Sequence, residues 1–264
     1  MRLASDSWLR SPRYYLQSAV LAAGYAAAGW VCMQLPLFNG EISLLWIPSG
    51  IGLAAIYIMG MRFWPALLVG SIVTAGAVSP GILALAAGNT LSSLAGAWWL
   101  RRTPFRQDFA RLEDVKWFLA FGVVLSPTIA AFVGPFALWT EGLWSFDRLP
   151  GAMLRWWMGD ALGALAFAPP LLALAAATRR RLPLVQKLEG LLLCLALITI
   201  GLLVFDDIGP LRYSKYPLAF LPFPLLIWAT LRFGLAGAMG AVLLVAGFAT
   251  DGVIRDVGLF SQYG

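Results

Sequence analysis

This chain has no histidine, two cysteines and few charges. The missing histidine removes the commonest metal ligand, the haem axial imidazole and the usual proton carrier near neutral pH. It also excludes Ser–His and Cys–His nucleophile pairs. Cys32 and Cys194 each fall inside an apolar run. They read as small hydrophobes in helices, not as a disulfide or a metal pair. No phosphate-cradling glycine loop with Lys-Ser/Thr, no His-Glu-x-x-His and no Gly-x-Ser-x-Gly occurs. We therefore expect no enzyme, no cofactor and no metal within these residues.

Charge is scarce too. Charged residues make up 12% of the chain, against about 25% in an ordinary globular domain. What fills the sequence is apolar: 60% of 264 residues are hydrophobic. Nine apolar runs stand out: Tyr15–Leu35, Ile42–Met61, Phe63–Val78, Ile82–Leu100, Trp117–Leu138, Trp156–Ala177, Gly190–Phe205, Pro217–Leu231 and Phe233–Ala249. Most reach the roughly 17–25 residues a helix needs to cross a bilayer. They are apolar all round and do not alternate, so they suit helices and not barrel strands. The expected fold is an all-α polytopic transmembrane bundle of about nine spans, eight to ten, read from run lengths. The first run is too long for a signal-peptide core, so it is expected to stay as a span. Pro217, Pro222 and Pro224 predict an irregular or kinked eighth run. Glu189 is placed in the loop before the seventh.

The basic residues order these spans. An N-terminus in the cytoplasm puts Arg2, Arg10, Arg13, Arg62, Arg101, Arg102, Arg106, Arg111, Lys116, Arg179, Arg180, Arg181, Lys187 and Arg232 inside. That is 14 of the 19 Lys and Arg. Arg148, Arg155, Arg212, Lys215 and Arg255 fall outside. The split follows the positive-inside rule. The net charge of +6 is thus a membrane signature and predicts no nucleic-acid partner. Nine spans that start inside end outside. Residues 1–264 are therefore expected to be a single integral-membrane domain that lacks a last span and a C-terminal cytoplasmic output module. The runs around Arg62-Phe63 and Arg232-Phe233 also resemble each other as hairpins, which keeps a transporter with parallel repeats in view.

Few polar residues enter the runs. Asp160 is the acid set furthest into one. An intramembrane carboxylate is costly and marks a functional site by default. Yet Ala161–Ala177 alone nearly spans, so Asp160 also fits a helix N-terminus at the bilayer edge. Asn89, Thr90, Ser92 and Ser93 cluster in the fourth run and fit interhelical glue or a polar pocket. Ser126, Pro127 and Thr128 could join that pocket. Pro48, with Gly50 and Gly52, fits a local break or a simple kink. Trp139, Trp144, Trp156 and Trp157 fit an interfacial aromatic belt or a ligand-facing wall. Glu141, Asp147, Asp206 and Asp207 are expected outside and solvated. The candidate ligand-binding set is Trp46, Pro48, Asn89, Trp157 and Asp160.

Several short stretches recur in a known order. They are Trp46-Ile47-Pro48-Ser49-Gly50-Ile51-Gly52, Gly60-Met61-Arg62-Phe63-Trp64-Pro65, Gly88-Asn89-Thr90, Trp157-Met158-Gly159-Asp160-Ala161-Leu162-Gly163 and Leu231-Arg232-Phe233-Gly234. With this set the chain resembles the first-described membrane-associated sensor (MASE) domain family of bacteria. The resemblance implies a multi-pass inner-membrane input domain. It implies an unknown small ligand and a cytoplasmic output module as partners, with a homodimer as the working form. The implied output is a histidine kinase or a cyclic-di-GMP turnover enzyme. A small-molecule transporter or channel is the alternative.

Overall fold

A computed structural model describes residues 11–34, 45–177, 183–205 and 220–255. Among these residues there are helices and turns and no strand. In chain order the helices are α1 (Pro12–Gln34), α2 (Ile47–Met59), α3 (Trp64–Ala75), α4 (Pro80–Arg102), α5 (Leu112–Trp117), α6 (Ser126–Thr140), α7 (Leu149–Ala177), α8 (Leu184–Phe205) and α9 (Pro222–Ile254). A π-helix, Phe118–Leu125, joins α5 to α6 without a break. The chain divides into two compact units, Met1–Arg106 with Arg111–Ala168, and Gln107–Ala110 with Pro169–Gly264.

Among the described residues five helical stretches are long and apolar enough to cross a membrane: Pro12–Gln34, Leu112–Thr140, Phe146–Ala177, Leu184–Phe205 and Pro222–Gly252. Helices occupy the described parts of all nine apolar runs, but several boundaries differ from the expected ones. α2 starts at Ile47 with Pro48 in its first turn. There proline's missing N–H costs nothing, so Pro48 begins a helix and does not kink one. At 13 residues α2 is about 20 Å long, short of the roughly 30 Å hydrocarbon core. α8 starts at Leu184 and takes in Glu189, which pairs with Arg232 instead of lying in a loop. Pro222 and Pro224 open α9, so they too sit where helices tolerate proline. Pro217, Asp206 and Asp207 lie outside the described residues.

In the first unit, neighbouring helices alternate in direction. Tyr14 at the start of α1 donates to the Arg62 carbonyl at 3.0 Å, and the Ile47 N–H at the start of α2 meets Cys32 Sγ, late in α1, at 3.3 Å. The turn between α2 and α3 is made at Gly60, with φ 113°, which only glycine adopts freely. Arg101 then closes α2 from α4, donating to the Ile56 and Tyr57 carbonyls at 3.2 and 2.6 Å. Arg13, Arg62, Arg101 and Arg102 thus share one end of this unit. Lipid tails are as apolar as leucine, so close packing of small residues holds such helices together. Ser92 and Ser126 show it: each hydroxyl donates to the other's carbonyl, at 2.7 and 2.8 Å, tying α4 to α6.

In the second unit α9 is broken at Gly234, with φ 62° and ψ −152°. A Cβ placed on Gly237 would lie 2.7 Å from the Ala229 carbonyl oxygen. Residues eight apart meet only where the chain folds back, so α9 is a helical hairpin. Ala229 and Ala241 share a core with Leu193 and Leu197 of α8. The turn glycine precedes Arg62-Phe63 but follows Arg232-Phe233, so the two hairpins turn differently despite their sequence likeness.

Candidate functional site

α7 starts at Leu149, seven residues earlier than its apolar run. Pro150 and Gly151 look like breakers in sequence, but proline is at home in a first turn. Asp160 therefore lies about 16 Å along the helix, at 1.5 Å per residue, not at its N-terminus. It is 2% exposed. Among the described residues its Oδ2 has no hydrogen-bond partner. The reading of Asp160 as a helix N-terminal residue gives way to a buried carboxyl well inside α7.

The start of α2 packs directly on this turn of α7. The Trp46 N–H donates to the Gly159 carbonyl at 3.0 Å. Ser49 Oγ is 2.8 Å from the Trp46 carbonyl and 2.7 Å from the Asp160 carbonyl, its one proton shared between the two acceptors. Gly50 and Gly163 allow the approach: a Cβ on Gly50 would fall 2.8 Å from Phe167 Cβ. Pro48 is fully buried at this junction.

From Trp46 a polar chain crosses the unit. The Tyr25 hydroxyl of α1 is in hydrogen-bonding reach of the Trp46 and Ser71 side chains. Asn89 Nδ2 of α4 donates to Ser71 Oγ of α3 at 3.2 Å. Tyr25, Ser71, Asn89 and Asp160 are all buried. One cluster thus draws on α1, α2, α3, α4 and α7. It brings Trp46, Pro48, Asn89 and Asp160 together. Trp157 points elsewhere: its indole donates to the Val124 carbonyl at 3.0 Å, beside the π-helix. Ser126 belongs to the α4–α6 tie and not to this cluster. Tyr25 and Ser71 escaped the sequence reading. Their only signal was a hydroxyl in an apolar run. Among the described residues no three His, Cys, Asp or Glu side chains gather as a metal site.

Glu141, expected to be solvated, is half-buried and also caps α4. It accepts from Gly81 N at 2.6 Å and Ser79 Oγ at 2.8 Å, and Ser79 Oγ accepts from Ile82 N at 3.1 Å. These donors, the Gly81 N–H first, hold its carboxyl below the ordinary 4.5. A lowered folded value stabilises the fold fully above the unfolded value and less as pH falls through the folded one. The melting point should therefore fall as pH drops below about 4.5, and Glu141→Gln should flatten that stretch of a thermal-shift pH series.

Comparison with curated proteins and with solved structures gives no match. The MASE1 family model matches residues 15–264. A match over nearly the whole length shows the family: this chain belongs to MASE1, a membrane-associated sensory domain family of signalling proteins.

Proposed function

We propose that this domain is the sensory input portion of a bacterial inner-membrane signalling protein. It passes a ligand or membrane signal to a cytoplasmic output module, a histidine kinase or a cyclic-di-GMP enzyme, in a homodimer. The observation that carries the reading is Asp160, a buried carboxyl with a free oxygen where five helices meet. A ligand that satisfies this oxygen in one helix arrangement better than in another shifts the balance between them by that difference in affinity. The basic end of the first unit faces the cytoplasm, as the positive-inside rule asks. No residue in the domain takes part in catalysis. Fusing the chain ahead of a cyclase module tests the reading. Cyclase output in cells should change across a panel of periplasmic solutes and lipid compositions. Output that stays constant across the panel would count against it.

One observation favours a transporter or channel instead. The short α2 begins inside the bundle beside an intramembrane acid, as discontinuous helices do at transport sites. Solute uptake into liposomes carrying the purified chain would select that reading.

A further inference from the structure

The first unit carries an apolar groove of about 460 Å³, lined by Met61, Leu91, Leu94, Ala95, Trp98 and Ile129 among others. That volume falls in the range of ligand pockets, about 300–1,000 Å³. The groove follows α4 from Leu91 to the Trp98 turn, close to the basic end of the unit. Leu91 and Trp98 are 52% and 45% exposed, so the groove opens sideways. In a bilayer that direction is the lipid.

The mouth is cationic. The Arg102 guanidinium stacks 4.2 Å from the Trp98 ring centre. Arg62 follows the groove residue Met61, and its guanidinium lies 5.3 Å from the Phe63 ring. Arg101 is occupied in closing α2. Among the described residues no carboxylate pairs with Arg62 or Arg102. One guanidinium held on an indole of the groove, and a second that follows the groove residue Met61 in sequence, match one chemistry. We propose that the groove binds an anionic glycerophospholipid, with an acyl chain against Leu91, Leu94 and Ile129 and the headgroup phosphate on Arg102 and Arg62. Arginine suits phosphate because its planar fork donates two hydrogen bonds at once. The cytoplasmic leaflet, which this end faces in the orientation proposed above, is the anionic one.

The test uses the full chain purified in mild detergent. Native mass spectrometry counts retained phosphatidylglycerol against phosphatidylcholine with the same acyl chains. Wild type should retain phosphatidylglycerol about thirtyfold better, from two arginines at the headgroup. The pair Arg62→Gln and Arg102→Gln should bring it down to the phosphatidylcholine level. The pair Arg62→Lys and Arg102→Lys keeps the charge but loses the fork, so it should keep part of the preference, which separates charge from folding. Leu91→Trp, which fills the groove, should lower retention of both lipids. Equal retention of the two lipids by wild type would overturn the proposal. So would a preference that survives the double glutamine change, or retention unaltered by Leu91→Trp. The assay in detergent does not depend on which way the bundle faces, so it can fail while the sensor reading stands.

Discussion

Gly163→Ala is expected to destabilise the first unit by about 3 kcal/mol, the upper end of the usual overpacking range. The added methyl carbon would overlap the Trp46 carbonyl oxygen outright. It would also sit 2.5 Å from the carbonyl carbon and 2.7 Å from Ser49 Oγ. Those atoms cannot yield like the end of a flexible side chain. Trp46 is held by its bond to Gly159, and Ser49 by its bond to Asp160. α2 and α7 would have to separate, and the polar cluster would come apart with them. Gly24→Ala supplies the control. It is also helical, but its Cβ would meet nothing within 4 Å. It should be neutral or gain up to about 1 kcal/mol from helix propensity. Thermal melting of both variants in one detergent decides this. A Gly163→Ala protein that melts like wild type would mean that the α2–α7 contact is not close.

Asp160→Ala is expected to leave stability unchanged or raise it, while it abolishes the response to any signal. A buried polar atom without a partner costs about 1–3 kcal/mol. Asp160 Oδ2 is such an atom, so its removal relieves a penalty and leaves only a small cavity. Ser71→Ala should behave in the opposite way. It leaves Asn89 Nδ2 without its acceptor and should cost about 1 kcal/mol. A residue kept for the fold loses stability on truncation; one kept for a task at the fold's expense gains it. Melting midpoints of the two variants, measured together with output from the cyclase fusion, separate these cases. A large loss of stability on Asp160→Ala would make the carboxyl a structural group.

The helices were legible in the sequence because long apolar runs have few other uses. Asp160 and Asn89 were legible because polar atoms in such runs are conspicuous. The start of α7 was not. Pro150 reads as a boundary, and only the structure shows it in the first turn of a longer helix. That shift alone carries Asp160 from the start of a helix to its middle, where it is buried among its neighbours. Pro48 misled for the same reason, since a chain does not say whether a proline kinks a helix or begins one. Tyr25 and Ser71 were hidden because one hydroxyl among small apolar residues looks like filler until its partners from other helices are placed. In sequence Trp157 reads as part of an aromatic belt or a ligand-facing wall. Its indole takes the Val124 carbonyl instead, next to a π-helix. There the backbone register has slipped, and the Ser126 N–H reaches back to Phe121.

The central claim is that the buried Asp160 cluster is the sensing element of this domain. The most direct test compares cyclase fusions of wild type and Asp160→Asn at matched membrane abundance across one panel of solutes and lipids. Wild-type output should vary over the panel, and Asp160→Asn output should be flat. An Asp160→Asn fusion that responds as wild type does would contradict the claim.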